Sequence, residues 1–186
     1  MVPLGSHRIG DNSESMFRTR FNKEIVAEFL PPSRTVKKQE LILLCDGMPS
    51  IPRKQSLAEF LAAKGFWVIY PRYRGAWESG GEFLAKSPHQ DIADILDELP
   101  KELEEIAFGR RFRLAPDQVF VIGGSFGGAA AILLSLDSRA KRGVANCPVV
   151  DWSILDPAEK AETSNASYAA YIRQAFGNAY RLSDEN

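Results

Sequence analysis

Four short apolar runs punctuate the chain: ELILLC at 40–45, FWVIY at 66–70, QVFVI at 118–122 and VANCPVV at 144–150. Each is only a strand's length, and polar positions do not alternate through it, which suits strands buried on both faces of a parallel sheet. An earlier segment, Lys23–Leu30 (KEIVAEFL), alternates enough to be an edge strand, stopped by Pro31-Pro32. Residues 8–22 are polar and read as a loose lead-in.

Helical spacing fills the gaps between these runs. Over Ser56–Ala63, Leu57, Phe60 and Leu61 make an apolar face, Ser56 and Glu59 a capping box, and Gly65 a stop. Ser87-Pro88-His89-Gln90 opens a second helix with three agreeing signals: a serine cap, proline in the first turn and glutamine to close the box. Its stripe is Ile92, Ile95, Leu96 and Leu99; Pro100 breaks it, with a second helical piece expected beyond. A third helix runs from Phe126 to about Leu136, and Tyr168, Tyr171, Ile172, Ala175 and Phe176 recur at helical spacing before Gly177. Strands alternating with helices predict one α/β domain around a mostly parallel, doubly wound sheet, spanning residues 23–186.

Composition narrows the function classes. With 23 basic and 24 acidic residues spread evenly, neither sign clusters into a nucleic-acid footprint or a membrane-binding patch. No run approaches the roughly 18 apolar residues of a membrane span, and no signal segment is visible. Cys45 and Cys147 lie in apolar strand-like runs, as buried thiols of a reducing, cytoplasmic protein. The opening MVPLGSH (1–7) resembles the remnant of a cleavable expression tag, so His89 is the remaining histidine. One histidine and two separated cysteines make no metal constellation, and no cofactor is implied.

The chemistry concentrates in VIGGSFGGAA, residues 121–130. Gly123-x-Ser125-x-Gly127 follows a strand and opens a helix, the context in which this pattern makes a nucleophile elbow. A tight turn would project the Ser125 hydroxyl at the positive end of the helix, beside the Phe126 N–H as an oxyanion donor. A glycine-rich turn that binds phosphate or merely packs is the other reading. A dinucleotide fold, however, wants its Gly-x-Gly-x-x-Gly near the first strand.

Four segments resemble the catalytic domains of the prolyl oligopeptidase family and dienelactone-hydrolase-like α/β-hydrolases. They are Gly-Gly-Ser125-Phe-Gly-Gly, Asp46-Gly47-Met48-Pro49, Tyr73-Arg74-Gly75 with Gly80-Gly81-Glu82-Phe83, and Val149-Val150-Asp151-Trp152. The resemblance implies that the ELILLC strand lies beside the nucleophile strand and that Met48 N–H is the second oxyanion donor. Asp46 stands where the family has histidine. The family's triad runs serine, acid, histidine, yet no histidine follows Ser125. The resemblance therefore implies that the acid and histidine lie beyond Asn186, since such domains reach about 250 residues. It also places cap helices near 153–180, so that stretch is either a lid or core packing.

Within the chain, His89 is the alternative base, though its strand should lie two places from the nucleophile strand. Asp151 is either an orienting acid or a structural one. Arg72 and Arg74 pair with carboxylates or backbone, or bind a substrate carboxylate. The expected activity is cleavage of a small ester or short peptide through an acyl-Ser125 intermediate; the alternative is an inert hydrolase-like scaffold. An apolar edge at 144–150 would invite a second copy or a complementing fragment.

Overall fold

The computed structural model describes residues 16–47, 52–99, 102–151, 166, 170, 174 and 175. Six strands form one sheet in the order β1-β2-β4-β3-β7-β8. They are β1 (Phe17–Phe21), β2 (Ile25–Leu30), β3 (Glu40–Cys45), β4 (Trp67–Pro71), β7 (Gln118–Gly124) and β8 (Ala140–Asn146). β3, β4, β7 and β8 are parallel, while β1 and β2 join antiparallel. A separate hairpin pairs β5 (Glu102–Glu104) with β6 (Arg111–Arg113). Among the described residues the continuous helices are α1 (Gln55–Lys64), α2 (Pro88–Glu98) and α3 (Phe126–Leu134), and residues 166, 170, 174 and 175 are helical as well.

Alternation along the strands builds two cores. Leu41, Leu43, Ile69, Val119 and Val121 face a cluster completed by Ile92 and Ile95 of α2 and Leu134 of α3. Ile42, Leu44, Val68 and Tyr70 face the other way, onto Ala58, Leu61 and Ala62 of α1. Both faces are covered, which explains why these strands read as unbroken apolar runs. The helices that follow β3 and β7 thus lie on opposite faces. The C-terminal ends of those neighbouring strands therefore form a switch point, the place where open α/β sheets bind their ligands.

The N-terminal edge differs from expectation. Phe17–Phe21, placed by sequence in a loose lead-in, is the edge strand, and β2 is internal. FRTRF has period two: Thr19 and Phe21 are buried while Arg18 and Arg20 are exposed. The three-residue turn to β2 passes through Asn22 (φ 47°) and Lys23 (φ 61°), both left-handed, and closes with the Glu24 N–H donating to Phe21 O at 3.0 Å. Phe17 and Phe29 stack with Phe112 of the small hairpin at centroid distances of 4.9–5.5 Å.

That hairpin replaces the helical piece expected beyond Pro100. Leu103 is buried between exposed Glu102 and Glu104, again period two. The Glu105 carboxylate accepts the N–H groups of Ala107 (2.8 Å) and Phe108 (3.0 Å), and Gly109 turns at φ 65°. These side-chain bonds satisfy amides that a helix would otherwise have used.

Two further boundaries moved. α1 starts at Gln55 with Lys54 as its cap, so the Ser56–Glu59 capping box does not form; Gln55 bonds Glu59 instead, at 2.8 Å. Its buried face is Ala58, Leu61 and Ala62, whereas Leu57 and Phe60 are exposed. Gly65 ends it at φ 104°, where a left-handed conformation suits glycine. The last strand occupies 140–146 rather than 144–150. Cys147 turns at φ 45° and Pro148 has no N–H to donate, so pairing stops at Asn146. As the edge of the described sheet, β8 tolerates polar Lys141 and Arg142, and Cys147 is exposed rather than buried. The serine, proline and glutamine signals at 87–90 do open α2, with Gln90 Oε1 accepting the Ser87 N–H at 3.2 Å.

Candidate active site

Ser125 sits between the last residue of β7 and the first of α3, at φ 52° and ψ −121°. A non-glycine residue here carries strain of about 1–3 kcal/mol, which persists only where surrounding bonds over-determine it. They do. Its N–H donates to Asn146 O (3.0 Å), and its carbonyl accepts from Gly128 (2.9 Å), Ala129 (3.3 Å) and Val149 (3.1 Å). The neighbouring strand and the first turn of α3 together hold the turn.

The glycines permit the close approach this requires. A Cβ on Gly123 would lie 2.0 Å from Gly127 O, and one on Gly127 would lie 2.3 Å from Cys45 O and 2.4 Å from Asp46 O. A Cβ on Gly128 would meet Pro148 at 2.9 Å. The elbow is therefore pressed simultaneously against itself, the end of β3 and the segment after β8. Phe126, first in α3, buries its ring against Tyr73 (edge-on, 5.1 Å) and Phe83 (5.9 Å). N–H groups at a helix start point out along its axis, toward any charge developing on a group held by Ser125.

β3 is hydrogen-bonded to β7, with Cys45 opposite Gly123, so the Asp46-Gly47 turn arrives beside the serine. An added Cβ on Gly47 would touch Ser125 Cβ and Gly124 O at 3.5 Å. Met48 lies outside the described residues, as does most of 153–180. Among the described residues of that stretch, Ala175 is buried and its carbonyl accepts the Trp77 N–H at 2.7 Å.

Asp46 is 7% exposed. Its carboxylate accepts from the Tyr70 hydroxyl and, at 2.9 Å, from the Gly47 N–H, with Lys54 Nζ at 3.8 Å. The Tyr73 hydroxyl donates to the Asp46 carbonyl at 3.1 Å. Burial, with the Asp46 charge beside it, pushes both tyrosines above the ordinary phenol range. The same two causes, in the same order, push the Cys45 thiol to about 12, so it stays a protonated thiol beside the serine.

The remaining candidates lie on other segments. His89 lies in the first turn of α2, with Nδ1 2.8 Å from Ser87 Oγ. α2 follows β4, which is two places from β7. Asp151 is exposed at the end of the segment that runs past the elbow. Arg72 and Arg74 are 4% and 5% exposed. Arg72 bonds Glu28 (2.7 Å), and Arg74 bonds Glu24 (2.6 Å), Asp94 (2.7 Å) and Asp91. These are the carboxylate partners expected of them. The sequence pattern places Tyr70 only at the end of an apolar strand. A hydroxyl ending an otherwise apolar strand was the available sign that it needed a partner.

A profile described as the prolyl oligopeptidase family matches residues 53–181. The chain belongs to the prolyl oligopeptidase family. It is thus a member of a hydrolase family with the α/β-hydrolase fold. Among solved structures it is similar to epoxide hydrolase VrEH1 from Vigna radiata, at 17% identity and a TM-score of 0.54, covering 87% of this chain and 48% of that one. It is similar also to Est1E from Butyrivibrio proteoclasticus, at 13% identity and 0.51, covering 70% and 49%. At these identities the likeness concerns the fold. The chain spans under half the length of these structures. Among the described residues, no helix of this family member is long and apolar enough to cross a membrane.

Proposed function

We propose that Ser125 is the nucleophile of a serine hydrolase that cleaves a small ester or the amide of a short peptide. The observation that carries this reading is the Ser125 backbone, held at φ 52° at the head of α3. Strained backbone of this kind clusters at active sites, and here it coincides with a serine at a helix head. In the proposed reaction a base takes the proton from Ser125 Oγ as the oxygen bonds the substrate carbonyl carbon. The oxyanion is held by the N–H groups of Phe126 and Met48, and the proton passes to the leaving alcohol or amine. Water, deprotonated by the same base, then releases the acid and restores the serine.

No histidine follows Ser125, and His89 belongs to a helix whose strand is two places away. In this reading the histidine and its acid come from chain outside these 186 residues, on strands added at the β8 edge. That edge is also where a second copy would pair.

The test is covalent labelling of the full-length protein with a fluorophosphonate, read by intact mass and peptide mapping. A single adduct on Ser125, lost together with ester and peptide turnover in Ser125→Ala, supports the reading. Turnover retained in Ser125→Ala would sink it, as would an unlabelled wild type.

A further inference from the structure

We propose that Asp46 is a positioning residue for the Ser125 centre: gripped by two tyrosines from opposite faces of the sheet, it holds the Asp46-Gly47 turn against the elbow. The proposal rests on the serine reading above.

Tyr70 and Tyr73 lie three residues apart, at and just beyond the end of β4, yet they belong to different cores. Tyr70 is fully buried in the α1 face, and Tyr73 is buried in the face shared with α2 and α3. Their hydroxyls meet on one residue. Tyr70 takes the Asp46 carboxylate, and Tyr73 takes the Asp46 carbonyl at 3.1 Å. The carboxylate also binds the next amide, Gly47 N–H, at 2.9 Å, so side chain and main chain are locked together. Lys54, capping α1, reaches the same carboxylate at 3.8 Å.

What this clamp holds is the closest approach to the serine from β3. The Asp46 carbonyl bears on Gly127 with no space for a methyl group, and a methyl group added to Gly47 would just reach Ser125 Cβ, at 3.5 Å. Any movement of Asp46 is therefore passed to the turn that leads into the proposed Met48 donor. Oxyanion donors act only within a few tenths of an ångström of their place, and a displacement near 1 Å costs roughly 100-fold in rate. A buried carboxylate in an apolar strand end is otherwise a poor choice, since burial penalises its charge. Its partners face the turn, and the turn faces the serine.

The experiment uses the full-length protein and its Asp46→Ala, Asp46→Asn, Tyr70→Phe and Asp46→Ala/Tyr70→Phe variants. It reads kcat and KM on a p-nitrophenyl ester, the rate of fluorophosphonate labelling, and thermal unfolding. Asp46→Ala is expected to lower kcat and labelling roughly 10- to 100-fold with KM nearly unchanged. Asp46→Asn, which keeps an acceptor for Tyr70, should fall only a few-fold. Tyr70→Phe added to Asp46→Ala should cost little more, because the two residues act as one unit. Should a variant fail to fold, the remaining ones carry the comparison. Normal labelling and kcat in Asp46→Ala, with the wild type labelled at Ser125, would overturn this proposal alone. A wild type unlabelled at Ser125 would overturn the serine reading and this proposal together.

Discussion

Arg74 bonds Asp91 through both its main chain and its side chain. The Arg74 N–H donates to Asp91 Oδ2 at 3.0 Å while its guanidinium pairs with Oδ1. Asp91 lies in the first turn of α2 and Arg74 in the loop after β4, so one carboxylate ties the helix to the loop whose Tyr73 supports the elbow. Glu24 and Asp94 complete the guanidinium's shell. Burial opposes the Arg74 charge, but these three carboxylates outweigh it and hold its pKa above the ordinary range.

Replacing Arg74 by Met would leave Asp91 buried without its cation. The expected loss is about 3–5 kcal/mol of folding stability. Adding Asp91→Asn should recover part of it, because the stranded charge is then gone. Urea unfolding of the single and double variants checks both values. A double variant less stable than Arg74→Met would contradict the account.

Asp94 gives a pH test. Burial pushes its carboxyl up, but bonds from Arg74 and Lys86 outweigh this, so its folded pKa lies below the ordinary 3.8. A depressed acid contributes stability above its unfolded pKa and loses it as pH falls through the folded value. Asp94→Asn should therefore destabilise the protein at pH 7, and the gap from wild type should close below about pH 3.8. A gap that stays constant down to pH 3 would refute the assignment.

The elbow glycines should differ sharply under alanine substitution. Cβ atoms at 123 and 127 would fall 2.0–2.4 Å from backbone oxygens, which cannot swing aside as a side chain can. Gly123→Ala and Gly127→Ala should each cost about 1–3 kcal/mol or more through overpacking. At Gly124 the nearest atom is Asn146 O at 3.7 Å, an ordinary contact, so Gly124→Ala should stay within about 1 kcal/mol. Thermal melts of the three variants rank them.

Alkylation should separate the cysteines. Cys147 is exposed, whereas Cys45 is buried with its thiol pushed up to about 12. Iodoacetamide at pH 8 should add once, at Cys147, and reach Cys45 only after unfolding. Two adducts on the folded protein would show that the end of β3 opens far more readily than its packing implies.

The sequence by itself determined the α/β order, the β3, β4 and β7 strands and the Ser125 elbow, because each depends on local terms. Strands buried on both faces must be apolar throughout, and a strand-to-helix turn this tight admits little but glycine around its serine. The caps at Ser87 and Gly65 were legible for the same reason: their partners lie within a few residues. Tertiary structure decided the rest. FRTRF became an edge strand only because Phe17 found Phe29 and Phe112, and the segment after Pro100 became a hairpin once Glu105 satisfied its own turn. Where β8 ended was set by pairing with β7, which fixes register without regard to how apolar the next residues are. The grip of Tyr70 and Tyr73 on Asp46 joins residues 24 and 27 apart in the chain, from two faces of a sheet. Such contacts follow from strand order, and strand order is a property of the assembled sheet.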